Sequence, residues 1–105
     1  MTQSPGIFAP TGRIDSSNAG AAERELAALM AQSGPSVVLD LTLVDYLSSA
    51  GLRVLLIAAK TASSKGGKAV IAGAKPMVAE VLRMSGFDKL MPVAADRDAA
   101  LALLA

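Results

Sequence analysis

The chain has 105 residues, 52% of them hydrophobic, and its ten Lys and Arg against nine Asp and Glu give a formal net charge of +1. This length suits one domain, and the apolar content is high enough for a packed core. The absence of cysteine and histidine excludes disulfide bonds, zinc sites built on Cys or His, and Ser–His or Cys–His catalytic pairs, while the scattered basic residues argue against binding to nucleic acid or to a membrane through a polybasic patch.

The N-terminal stretch, MTQSPGIFAPTGRID, lacks the basic region and long apolar run of a secretory signal. Residues 6–14 hold two short apolar pieces separated by Pro10 and Gly12, which predicts a strand, a turn and a second strand. Residues 15–34 predict a helix, with capping residues at 15–18 and a stop at Gly34. Its buried face would carry four residues at helical spacing: Ala22, Leu26, Leu29 and Met30.

Residues 36–41, SVVLDL, are β-branched and almost continuously apolar, which indicates a central strand covered on both faces. Residues 42–47 are expected to carry the chain out of the sheet. A helix from about Ser49 to Ser63 follows, because four apolar residues form one stripe along it: Leu52, Leu55, Leu56 and Ala59.

The SSKGGK stretch that ends this helix is not a phosphate-binding loop, since Ala69 follows the lysine where that loop has Ser or Thr. Residues 68–73 predict a strand, and a helix begins at Pro76 and ends before Gly86. A short strand at 89–94 and a final helix capped by Asp96 complete the chain.

The predicted order is β-β-α-β-α-β-α-β-α over a single domain of residues 1–105. Strands that alternate with helices imply an α/β fold, with a mostly parallel sheet of four or five strands and about four helices. No window reaches the roughly 18 uninterrupted apolar residues that a membrane span needs. The sequence therefore predicts a cytoplasmic protein with no direct membrane insertion.

Three acidic residues are candidates for a site. Asp40 and Asp45 bracket the exit from the central strand, where ligands collect in open α/β sheets, and two carboxylates there could hold Mg²⁺. Turn hydrogen bonds and helix-end electrostatics are the preferred explanation for this pair. Asp15 could be an exposed loop residue near a binding surface, but helix capping is the preferred explanation.

Ser48 and Ser49 lie where the chain enters the second helix, and one of them is expected to cap it. The following Ala50 and Gly51 make a small surface that a partner or a modifying enzyme could approach closely. A nucleophilic role is disfavoured because the chain has no histidine to activate a hydroxyl. A phosphoserine would be stabilised here, since helix N-termini attract anions.

Three stretches, in the same order and spacing, resemble the STAS domain family, and within it the bacterial anti-sigma factor antagonists. GRIDSSNA resembles the family's Gly-x-Leu-Asp segment before the first helix. VVLDLTLVDYLSSAGLRVLL resembles its central signature, and AGAKPMVAEVLRMSGFDKLMPVAADRDAAL resembles its C-terminal third. Ser48 stands where the family signature has an acidic residue.

The resemblance implies a binding protein that is not an enzyme and needs no cofactor or metal. Its partner would be an anti-sigma factor serine kinase, and it would be a monomer or weak dimer. The carried-over phosphorylation site is Ser49, with Ser48 or an unregulated binder as the alternatives. The expected contact surface is centred on the start of the second helix and flanked by the loop of residues 12–18. It comprises seven residues: Asp15, Asp45, Ser48, Ser49, Ala50, Gly51 and Arg53.

Two other functions stay open from the sequence. STAS domains also serve as accessory subunits of lipid or anion transport systems, which would require a separate membrane partner. A small-ligand or nucleotide module could instead use the region above Asp40 and Asp45.

Overall fold

The computed structural model describes residues 4–105, which form six strands and five helices. The strands are β1 (Gly6–Phe8), β2 (Gly12–Ile14), β3 (Val37–Asp40), β4 (Val44–Leu47), β5 (Ala69–Ala72) and β6 (Val93–Ala94). The helices are α1 (Ala19–Gln32), α2 (Ser49–Ser64), α3 (Pro76–Met84), α4 (Phe87–Leu90) and α5 (Arg97–Leu104). No helix of this described part is long and apolar enough to cross a membrane.

The strands form two separate parallel sheets. The main sheet has four strands in the order β1-β3-β5-β6, and the second is the pair β2-β4. Strand β3 is fully buried between β1 and β5, as its continuous apolar sequence predicted. The predicted mostly parallel α/β fold is confirmed.

Alternate residues of the main sheet enter two different apolar clusters, because successive side chains of a strand point to opposite faces. Val37 and Leu39 belong to the large cluster, which also contains the buried faces of α1, α2 and α3. Val38, between them, belongs to a smaller cluster that α5 covers with Ala100 and its neighbours. Helices therefore cover both faces of the main sheet, with most of them on one side.

Two parts of the predicted order are wrong. Residues 42–47 do not simply leave the sheet, since Val44–Leu47 forms β4 and pairs with β2. Its burial pattern is inward, outward, outward, inward, so the alternation that marks a strand is missing. The expected strand at 89–94 is restricted to Val93–Ala94, because residues 87–90 form the short helix α4.

A half-buried cluster of hydrogen-bonded side chains at the end of β3 connects the C-terminal helix α5 to the main sheet. The Asp40 carboxylate accepts hydrogen bonds from the Thr42 hydroxyl at 2.5 Å and from the Thr42 backbone N–H at 3.0 Å. Its other oxygen accepts a hydrogen bond from Arg97 Nε at 2.9 Å. Burial raises the pKa of Asp40, but the Thr42 hydrogen bonds and the Arg97 charge outweigh burial and hold that pKa below its ordinary value.

We predict that Arg97→Met lowers the free energy of unfolding by about 1–2 kcal/mol near neutral pH, since it removes charge-assisted hydrogen bonds to a buried carboxylate. A lowered folded-state pKa means that the stabilisation is complete above the ordinary value of 3.8 and is lost as the pH falls below it. Urea denaturation from pH 7 down to pH 3 measures both effects.

The matched control is Arg83→Met, which breaks an exposed pair with Glu80 within α3. This change should cost no more than about 0.5 kcal/mol. Equal losses in the two variants, or a loss from Arg97→Met that persists undiminished in acid, would contradict the assigned role of Asp40.

Candidate functional site

The two serines at the start of α2 have different roles. Ser48 is the N-cap: its backbone is extended, and its hydroxyl oxygen accepts a hydrogen bond from the Gly51 backbone N–H at 3.3 Å. Ser49 is the first residue of the helix, and its side chain is exposed. The capping role expected of one serine therefore falls to Ser48, which leaves Ser49 facing solvent.

The start of α2 is held against the β2-β4 pair. Ser48 donates its backbone N–H to the Ile14 carbonyl at 3.0 Å, directly after Leu47 pairs with Ile14 in the sheet. One position earlier in the register, Arg13 pairs with Tyr46. The parallel pairing thus brings the end of β2 and the turn that follows it alongside the first turn of α2.

Gly51 allows this contact. A Cβ atom at Gly51 would lie 2.6 Å from the Ile14 carbonyl oxygen and 3.1 Å from Leu47 Cδ2. The first of these distances is impossible without movement of the backbone. The glycine therefore serves the close packing of α2 against Ile14 of β2.

The turn between β2 and α1 is organised by Asp15. Its carboxylate accepts hydrogen bonds from the Ser17 hydroxyl at 2.5 Å and the Ser17 backbone N–H at 3.0 Å. These hydrogen bonds hold the pKa of Asp15 below its ordinary value, with a smaller contribution from Arg13. The prediction that Asp15 caps the helix is wrong, because the N-cap of α1 is Asn18 and the Asp15 side chain folds the preceding turn instead.

Arg13 lies between this turn and strand β4. Its guanidinium carbon lies 4.3 Å from the centre of the Tyr46 ring, a cation–π contact. Its Nε lies 3.5 Å from a carboxylate oxygen of Asp15. Arg13, Asp15 and the two serines at the start of α2 line one open depression. Eight residues line it in all: Arg13, Asp15, Ser16, Ser17, Tyr46, Ser48, Ser49 and Ala50.

Four of the residues expected at a contact surface line this depression together: Asp15, Ser48, Ser49 and Ala50. Gly51 is buried beneath it, and Arg53 is exposed one turn further along α2. Asp45 pairs instead with Lys75, which directly precedes α3. Arg13, Ser16 and Ser17 belong to the 12–18 loop that was expected to flank the contact surface, whereas Tyr46 was missed because its place at the site depends on the β2-β4 pairing.

The two carboxylates considered for Mg²⁺ are engaged separately. Asp40 contacts Thr42 and Arg97, whereas Asp45 contacts Lys75. Within residues 4–105, no group of three or more acidic residues is arranged to hold a metal ion. The turn hydrogen bonds preferred from the sequence are present at Asp40, while the ion pairs that engage both carboxylates were not predicted.

Comparison with known proteins identifies the family to which this chain belongs. The sequence model of the STAS domain matches residues 1–100. BtrV of Bordetella bronchiseptica, designated a candidate anti-sigma factor antagonist, is 47% identical over 91 residues, which cover 87% of this chain and 78% of BtrV. The chain belongs to the STAS domain family, which confirms the resemblance seen in its three sequence stretches.

Two solved structures have the same fold. The crystal structure of an anti-sigma factor antagonist from Mycobacterium paratuberculosis is 28% identical with a TM-score of 0.83, over 93% of this chain and 83% of that one. A candidate anti-sigma factor antagonist from Thermotoga maritima is 20% identical with a TM-score of 0.87, over 93% of this chain and 85% of that one.

We predict that Gly51→Ala destabilises the domain by about 1–2 kcal/mol, because overpacking against Ile14 exceeds the gain of about 1 kcal/mol that alanine brings to a helix. The control is Gly20→Ala in α1, where a Cβ would meet only Arg24 Nη1 at 3.6 Å, the end of a flexible side chain. That variant should be neutral or more stable than wild type. Thermal unfolding measures both, and a Gly51→Ala protein that melts above wild type would refute the packing argument.

The different roles of the serines predict different effects on stability. Ser48→Ala should cost about 1 kcal/mol, since it removes the side-chain cap of α2. Ser49→Ala should change the free energy of unfolding by no more than about 0.5 kcal/mol, since alanine is a good helix former and the site is exposed. Chemical denaturation of the two variants decides the matter: equal losses would mean that the cap is shared.

Proposed function

We propose that this chain is an anti-sigma factor antagonist, a binding protein that sequesters an anti-sigma factor and so frees a sigma factor. The relatives from Bordetella bronchiseptica and Mycobacterium paratuberculosis carry this designation, at 47% and 28% identity. Because sigma factors act on RNA polymerase, this role would require the protein to be in the cytoplasm. The partner would be an anti-sigma factor that is also a serine kinase.

The observation that carries the proposal is the exposed hydroxyl of Ser49 at the edge of the depression. Ala50 beside it is small, and Gly51 holds the first turn of α2 close to β2. Neither of the two residues that follow Ser49 therefore carries a side chain that would keep a partner's surface away from it. Arg53, exposed one turn along, adds a charged contact on the same helix.

Phosphorylation of Ser49 would regulate this binding. The Ser49 oxygen would attack the γ-phosphorus of a nucleoside triphosphate bound by the kinase, the nucleoside diphosphate would leave, and the hydroxyl proton would pass to a base of the kinase. Ser49 suits this reaction better than Ser48, whose oxygen is already used as the cap. Phosphorylation of Ser48 would esterify the oxygen that now accepts the Gly51 N–H.

The added phosphate would weaken binding for a physical reason. It introduces a charge of about −1.5 to −2 at pH 7 into a surface that the partner must cover. The helix N-terminus stabilises the phosphate in the free protein, so desolvating it on contact is unfavourable. Each 1.4 kcal/mol of that cost lowers affinity tenfold.

We predict that the cognate kinase modifies Ser49 and that Ser49→Asp binds the anti-sigma factor at least about tenfold more weakly than wild type. One carboxylate carries less charge than a phosphate, so the loss should be smaller than that caused by true phosphorylation. Intact-protein and peptide mass spectrometry locate the modification, and calorimetry measures the affinity. Arg53→Ala should weaken binding without changing the modified residue.

The matched control is Ser63→Ala, which changes an exposed serine in the last turn of α2. It should be phosphorylated and bound like wild type, and Ser49→Ala should bind but accept no phosphate. Phosphate found on Ser48 alone, or on neither serine, would disprove the assigned site. If Ser49→Asp and Arg53→Ala both bind like wild type, the contact surface lies elsewhere.

A further inference from the structure

We propose that Arg13 is the internal receptor for a phosphate on Ser49, and that it leaves the Tyr46 ring when the phosphate is present. This inference rests on the proposed phosphorylation of Ser49. It explains how phosphorylation of Ser49 alone would change both the shape and the charge of the depression.

The β2-β4 pair places Arg13 for this role. Arg13 pairs with Tyr46 in the register of the two strands, and Ser48 and Ser49 follow β4 immediately. The Arg13 and Ser49 side chains line the same open depression. Arg13 is also the one cationic residue among those that line it within residues 4–105. A phosphate on Ser49 would therefore enter a space already shared with a guanidinium.

The present contacts of Arg13 are weak enough to be exchanged. Its side chain is 64% exposed, and its approach to Asp15 is 3.5 Å, longer than a good charge-assisted hydrogen bond. Asp15 does not depend on it, because the Ser17 hydroxyl and backbone N–H remain bonded to that carboxylate. Arg13 can leave without stranding a buried charge.

A phosphate offers Arg13 a better partner than the two it has. The guanidinium presents its N–H donors in a fixed fork that matches two phosphate oxygens, and the phosphate carries up to twice the charge of the Asp15 carboxylate. Such pairs are shorter and stronger than a single contact with a carboxylate oxygen or an aromatic face. We therefore expect the guanidinium to move from Tyr46 to the phosphate and uncover the ring.

Arg53 is the competing receptor, since it follows Ser49 by one helical turn and is exposed. It lies outside the set of residues that line the depression. A phosphate held by Arg53 would stay on the surface of α2 and leave the contact between Arg13 and Tyr46 intact. The two receptors therefore predict different behaviour of the Tyr46 ring.

The test uses phosphoserine placed at position 49 during translation, in wild type and in the Arg13→Gln, Arg13→Lys and Arg53→Gln variants. Phosphorus NMR titration reports the second pKa of the phosphate, and proton NMR reports the ring of Tyr46, which is the only tyrosine in the chain. Circular dichroism confirms that each variant is folded. The control is phosphoserine at position 63, in the last turn of α2.

We expect the phosphate pKa at position 49 to rise in Arg13→Gln and to return towards the wild-type value in Arg13→Lys. Phosphoserine at position 49 should shift the Tyr46 ring signals in wild type but not in Arg13→Gln, and phosphoserine at position 63 should not shift them. A phosphate pKa that responds to Arg53→Gln alone, or a Tyr46 ring that does not respond to phosphate, would overturn the proposal. Because no kinase or partner is used, this outcome is separate from whether Ser49 is modified by a kinase.

Discussion

The candidate site depends on one close contact, the approach of the first turn of α2 to the carbonyl of Ile14. That oxygen accepts the backbone N–H of Ser48, and it lies where any side chain at position 51 would collide with it. Ile14 itself is almost completely buried in the large apolar cluster. The core therefore fixes the orientation of α2 at its first turn, and with it the direction in which Ser49 points.

A second consequence is that structural and chemical roles are divided between adjacent serines. A helix start leaves backbone N–H groups without partners, and Ser48 supplies an acceptor for one of them. Ser49 is then free of that task and remains exposed. Under the proposed function, a charge can be added to Ser49 without removing the cap that helps to hold α2 in place.

Much of the fold could be predicted from the sequence because its signals are local. The continuous apolar run of residues 36–41 predicted the central strand. The stripe predicted for α2 was displaced, since only Leu55 of its four residues is fully buried and the other three are partly buried against the core. Ser48 and Gly51 marked the helix start from residue type alone. Strand β4 was missed because two adjacent residues, Asp45 and Tyr46, both face outward. Its pairing with β2 also contains a register shift between Gly12 and Arg13, which no local pattern reveals.

The charged contacts of the site could not be predicted from the sequence, because they form only when distant parts of the chain meet in the fold. Arg13 and Tyr46 meet only because two short strands pair in parallel, and neither position has an apolar pattern that would mark it. The pairs between Asp40 and Arg97 and between Asp45 and Lys75 likewise join residues 57 and 30 positions apart. Arg13 differs from Arg97 in the strength and burial of its contact: Arg13 lies 3.5 Å from Asp15, whereas Arg97 hydrogen-bonds at 2.9 Å to Asp40, which is the more buried carboxylate. Arg13 can therefore change its partner without disturbing the fold. Loss of Arg97, in contrast, leaves the buried Asp40 carboxylate without its charged partner. Charge introduced at Ser49 would accordingly act on the side chains of the depression and spare the core beneath it.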